Sequence, residues 1–271
     1  MIIREELCTG CLDCLPYCPM SAIVHDEATG LAKIVEDECV ECGVCYRARV
    51  CATDAVFPQP LEWPRTLRME FSDPSSPYLS PVFEHRTIAR FQRDLRGMDR
   101  RRLLDREGEE LTISGRGTIE MKMNDVMGRY KRGQAGVAAE IGRPGVGARF
   151  RDVEKVARAL TTAGVKFEPD NPLTDLMTDV RTGALLPEIL NEKVLSCIIE
   201  FTVPLASLPR VLSALRDVSS QIDTVFAVDL ISVVEEDGSV PTVPVVEAMG
   251  LTPSIAGKTN VGLGRPLAPL D

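Results

Sequence analysis

Cys8-Thr9-Gly10-Cys11-Leu12-Asp13-Cys14-Leu15-Pro16-Tyr17-Cys18-Pro19 reads as C-x2-C-x2-C-x3-C-P. Three thiols two residues apart lie on one tight loop, and each can reach a different iron of a cubane cluster. The proline after Cys18 turns the chain away, and in two-cluster proteins that fourth thiol ligates the other cluster. A second run is therefore expected. It is present as Cys39-Val40-Glu41-Cys42-Gly43-Val44-Cys45, followed by Cys51. Zinc sites pair two C-x2-C knuckles and do not repeat a triplet. A disulfide framework belongs to an exported chain, and the residues before Cys8 do not read as an export signal.

Outward from the cysteines, the segment reads as an internal duplication. Pro19 to Val24 follows the first run and Ala52 to Phe57 follows the second, each supplying a short apolar strand. Ala22 to His25 and Ala32 to Val35 flank a turn containing Gly30, which predicts a hairpin. Over this segment the pattern resembles the bacterial two-cluster ferredoxins. That resemblance implies two [4Fe-4S] clusters. Cluster one would take Cys8, Cys11, Cys14 and Cys51, and cluster two would take Cys39, Cys42, Cys45 and Cys18. The chain departs from the family at one point. Five residues, Tyr46 to Val50, separate Cys45 from Cys51 where the first run has three, and no proline follows Cys51. A lengthened loop that keeps the ligand is the expectation. The alternative is a cluster one that lacks its fourth thiolate. Arg47 and Arg49 lie in this loop, where they can tune the cluster, form a docking contact or simply be solvated.

Composition narrows the function classes. The chain has 271 residues, with 44% hydrophobic, 26% charged and 5% aromatic residues and a formal net charge of −9. An acidic, aromatic-poor chain argues against nucleic acid as a partner. No apolar stretch approaches the ~20 residues of a membrane helix. Clustered free thiols predict a reducing, cytoplasmic setting.

Residues 1–57 are expected to form the cluster domain. Residues 58–110 read as a proline-rich linker, extended and anchored by Trp63, Phe71 and Tyr78, running into an arginine-rich segment from Arg86 to Arg106. Residues 111–236 read as a second domain. Strands are predicted at Thr118–Met123, Val137–Ile141, Val165–Phe167, Leu195–Val203 and Val225–Val234. One helix is predicted to be capped by Asp152 and closed by Gly164, with Val153, Val156, Ala157, Leu160 and Ala163 on its apolar face. A second carries Leu205, Leu208, Leu212, Leu215 and Val218. Two strand–helix–strand units predict a ferredoxin-like, ACT-like sandwich, so the fold class is α+β. Cys197 falls on an apolar strand face and reads as a core thiol. The glycine–arginine loop Gly142 to Gly147 is read either as tight turns or as an anion cradle. Residues 237–271 read as an arm. Gly257-Lys258-Thr259 lacks the upstream glycine of a phosphate-binding loop, which excludes nucleotide hydrolysis.

Gly115 to Arg129, Glu140 to Val146 and Asn191 to Ser196 resemble the 6-hydroxynicotinate reductase family. Its members reduce an N-heteroaromatic ring with ferredoxin electrons and continue into a further module. The resemblance implies an iron–sulfur electron-transfer subunit of a low-potential oxidoreductase. Its partners would be a catalytic subunit, on which a flavin is possible, and an external electron donor. The residues themselves supply no catalytic constellation, and His25 and His85 are the only histidines. A free ferredoxin-type carrier, or a redox- or ligand-sensing regulator with an ACT-like domain, are the alternatives. The length of chain after residue 57 counts against the first. The lack of a DNA-binding element counts against the second.

Overall fold

Strand β1 (Ile2–Ile3) pairs antiparallel with β4 (Val56–Phe57), so the two ends of the cysteine-rich segment meet. Between them β2 (Ile23–Asp26) and β3 (Leu31–Ile34) form the expected hairpin, in register Ile23↔Ile34. Gly30 closes its turn at φ 71°, a left-handed conformation that glycine adopts without steric cost. Met1, Ile23, Ala32, Ile34 and Val56 are buried together with Cys14 and Cys45 in one small core. These relations come from a computed structural model that describes residues 1–72, 130–143, 145–169 and 171–253. The predicted strand at Thr118–Met123, the arginine-rich segment, His85, the Gly115–Arg129 run and Gly257-Lys258-Thr259 lie outside the described residues.

After β4 the strands in chain order are β5 (Gln134–Ile141), β6 (Ala148–Arg149), β7 (Met177–Asp179), β8 (Ala184–Leu185), β9 (Lys193–Val194), β10 (Cys197–Pro204) and β11 (Phe226–Ile231), and the second core is built on a three-stranded sheet ordered β10–β5–β11. Strand β5 (Gln134–Ile141) is central, and β10 (Cys197–Pro204) and β11 (Phe226–Ile231) flank it, both antiparallel. Alternate residues Ala135, Val137, Ala139 and Ile141 of β5 meet Cys197, Ile199, Phe201 and Val203 of β10 on one apolar face. Ile198 and Glu200 on the opposite face of β10 are also buried, so this strand is enclosed on both sides.

Two helices cover the apolar face. Among the described residues in chain order, α1 is Val44–Arg47, α2 is Thr66–Ser72, α3 is Phe150–Thr162, α4 is Pro172–Asp175, α5 is Leu208–Ser219 and α6 is Thr242–Ala248. Helix α3 buries Val153, Val156, Ala157 and Leu160, and α5 buries Leu208, Val211, Leu212, Leu215 and Val218. Both are the 3.6-residue stripe of an amphipathic helix.

Several boundaries differ from expectation. Helix α3 starts at Phe150, and Arg149, not Asp152, is its N-cap. The Phe150 and Arg151 N–H groups donate to the Glu192 and Leu190 carbonyls at 3.1 and 2.9 Å, so its first turn needs no side-chain cap. The strand expected at Val165–Phe167 contracts to a single bridge, Phe167↔Phe201. Pro169 follows at once, and the chain turns into α4, which Asn171 caps through the Leu173 N–H. Mixed helices and small sheets place the fold in the α+β class, but the ACT-like form of the second module is not supported.

The linker is not extended throughout. Residues 66–72 are helical, and Leu67 is fully buried in the second core, with Trp63 and Phe71 packed against it. The Phe71 ring meets Phe150 edge to face, with centroids 5.4 Å apart and planes at 87°. Two proline-free turns with an apolar side are enough for a helix once that side has a core to enter.

Candidate iron–sulfur site

The two cysteine loops share one backbone. In the first, Gly10 and Leu12 have φ 70° and 63°; in the second, Glu41 and Gly43 have φ 55° and 66°. The same two positions therefore go left-handed in each run and turn the loop so that its thiols face inward. The repeat continues past each last cysteine. The Ala22 N–H donates to Cys18 Sγ at 3.1 Å, and the Ala55 N–H donates to Cys51 Sγ at 3.2 Å. Ser21 and Asp54, three residues after those cysteines, are both left-handed, at φ 51° and 53°. Cys51 is thus the geometric counterpart of Cys18. The longer loop before it is absorbed by α1 and by Arg49, itself left-handed at φ 53°. Arg47 donates to the Cys42 carbonyl at 2.7 Å, and the Arg49 guanidinium lies 5.3 Å from the Tyr46 ring centroid.

Two cavities open inside this segment. One is lined by Cys18, Cys39, Cys42 and Cys45, with Met1 and Met20 beside them. The other is lined by Cys8, Cys11, Cys14 and Cys51, with Thr53 and Ala55 beside them. Each holds three thiols of one run and the last thiol of the other. No group of three or more His, Cys, Asp or Glu side chains among the described residues is arranged to hold a single metal ion. The cysteines instead ring a cavity, the arrangement that suits a polynuclear cluster.

The cavities differ in surroundings. Cys42 and Cys45 are buried, whereas Cys11 is exposed and Cys51 half-buried. Burial, followed by the charge of Glu41, pushes the Cys39 thiol up to about 11. Burial, followed by neighbouring Cys39, Cys42 and Cys18, pushes Cys45 up to about 12. At Cys51 burial works upward, but the Thr53 hydroxyl and the N–H groups of Thr53, Ala55 and Val56 outweigh it and hold the thiol below its ordinary value. N–H groups aimed at a sulfur stabilise its thiolate, the form that binds iron. The residues present therefore fit cubane clusters.

Glu41 is 1% exposed and stands between Cys39 and Cys42 in the sequence. Its carboxylate accepts from the Met1 ammonium, from Arg65 Nε at 3.0 Å and from Arg65 Nη2 at 2.7 Å. An isolated buried carboxylate would be costly, and these two cations offset that cost. The sequence reading did not single out Glu41, Arg65 or Arg68. The one signal was position, since Glu41 lies within the second cysteine run.

Other expected features resolve plainly. Cys197 is 1% exposed on the apolar face of β10, and burial raises its thiol far above the usual range. The described residues of the Gly142 to Gly147 loop, Pro144 lying outside them, make a tight turn. The Val146 and Gly147 N–H groups both donate to the Gly142 carbonyl at 3.0 Å, and Arg143 pairs with Glu140 at 2.9 Å. His25 is exposed on β2.

These loops have the form of a ferredoxin-type iron–sulfur segment. Residues 1–51 match the family model described as a 4Fe-4S dicluster domain. No curated protein and no solved structure matches the chain. The N-terminal segment is thus a 4Fe-4S ferredoxin-type domain, and an iron–sulfur electron-transfer role follows. No helix among the described residues is long and apolar enough to cross a membrane. Protein purified without oxygen is expected to carry about eight iron and eight sulfide per chain. Metal and sulfide analysis checks this, and a count near four, or zinc in place of iron, contradicts it.

Proposed function

We propose that this chain is the iron–sulfur electron-transfer subunit of a low-potential oxidoreductase complex. The observation that carries this is the pair of cavities, each walled by three cysteines of one run and the last of the other. On this reading Cys39, Cys42, Cys45 and Cys18 hold an inner [4Fe-4S] cluster, and Cys8, Cys11, Cys14 and Cys51 hold an outer one. When bound, such clusters supply single-electron storage and transfer. The protein orients the thiolates, aims N–H donors at Cys18 and Cys51, and keeps water from Cys42 and Cys45.

The substrate class rests on the family resemblance, which favours an N-heteroaromatic or related ring reduced on a partner subunit in the cytoplasm. Ring reduction needs a positioned proton donor and a centre that gathers electrons in pairs, such as a flavin on that partner. The isolated chain is therefore expected to accept electrons from dithionite yet leave 6-hydroxynicotinate unchanged. Activity is expected only when a second subunit, recovered by anaerobic co-purification, is added back. Turnover by the purified single chain with reduced viologen would sink this reading.

A further inference from the structure

We infer that Arg68 is a positioning residue for the inner cluster, and that through it the second module forms part of that cluster's site. This rests on the two-cluster reading above. Arg68 lies on α2, whose other side enters the second core through Leu67. It is 4% exposed. Its Nη1 lies 2.8 Å from the Glu36 carbonyl, 3.1 Å from that of Asp37 and 2.8 Å from that of Cys39. Its Nε pairs with Glu192, from the loop before β9 (Lys193–Val194). One guanidinium thus gathers the backbone leading into Cys39 and ties it to the second module.

A buried arginine is expensive unless its charge is paired and its N–H groups are satisfied. Here the charge is paired with Glu192 and both Nε and Nη1 are hydrogen-bonded, and the partners come from two parts of the chain, residues 36–39 and Glu192. The fork of fixed donors suits this task, because it binds several oxygens with little further loss of freedom.

The contact extends on either side of Arg68. Arg149 donates to Asp37 Oδ2 and to Glu38 Oε1, both at 2.8 Å, and Lys193 pairs with Glu38. Arg65 holds Glu41. Four cations from the connector and the second module therefore grip residues 36–41. Among the described residues, no hydrogen bond or ion pair of comparable reach joins the second module to Cys8, Cys11, Cys14 or Cys51. The outer loop instead bears an exposed Cys11. Loss of the clamp should affect one cluster and spare the other.

The test uses the full chain, purified without oxygen, with the two EPR signals assigned through Cys14→Ala and Cys42→Ala. Arg68→Met is expected to remove most of the inner signal, to leave the outer signal intact and to lower iron from about eight toward about four. Arg68→Lys, which keeps a cation among the carbonyls, is expected to restore part of it. Glu192→Gln keeps a hydrogen-bond acceptor and guards against simple misfolding. It is expected to shift the midpoint potential of the inner cluster alone. Wild-type signals and potentials in all three variants would overturn the inference. So would equal loss of both signals in Arg68→Met with unchanged potentials in Glu192→Gln. A wild-type chain with a single cluster would instead refute the two-cluster reading, before any variant is made.

Discussion

Cys18→Ala is expected to abolish the cluster held by Cys39, Cys42 and Cys45, and to spare the one held by its own run. Cys18 belongs to the first run in sequence, but it lines the inner cavity with the second run. Its sulfur receives the Ala22 N–H at 3.1 Å, the contact that Ala55 makes with Cys51 in the other half. Loss of a thiolate leaves one iron without its protein ligand, and the cubane becomes labile or loses that iron. EPR of the reduced variant decides the point. A lost signal that also disappears in Cys14→Ala would show the ligand sets to be uncrossed.

Phe150→Ala is expected to destabilise the second module by about 3–5 kcal/mol, the usual range for truncating a fully enclosed aromatic ring. Phe150 has no solvent exposure and stands edge to face against Phe71 at 5.4 Å. The space left cannot easily be filled, because Phe71 sits on α2, which Leu67 anchors in the same core. Denaturant unfolding followed by circular dichroism measures the change. A loss below about 1 kcal/mol would mean that the ring is not the keystone its burial implies.

Much of the cluster segment was legible because its chemistry is local. Ligand spacing, the glycine in the hairpin turn and the strand after each last cysteine all lie within a few residues of one another. The stripes of α3 and α5 were legible for the same reason, since their period is written in neighbouring residues. The start of α3 was misread, because Asp152 looks like a cap while the real donors' partners, Leu190 and Glu192, lie some forty residues away in sequence, a separation that Arg149 Nη1 also spans to reach the Asn191 carbonyl. The helix at Thr66–Ser72 was hidden by the prolines around it. Arg68 was passed over because a lone arginine reads as surface charge. Its carbonyl partners are 29 to 32 residues away and its carboxylate partner 124. The ACT-like expectation counted Val165–Phe167 as a full strand, whereas only Phe167 pairs.

The buried ninth cysteine has a practical consequence for anyone labelling this protein. Cys197 is sealed in the sheet, and its thiol is held protonated by burial. Alkylating reagents attack thiolates that they can reach. While the sheet is intact, such a reagent reads only the N-terminal thiols, starting with exposed Cys11. Modification of Cys197 then becomes a built-in clock for opening of the second core, recorded in the same mass spectrum.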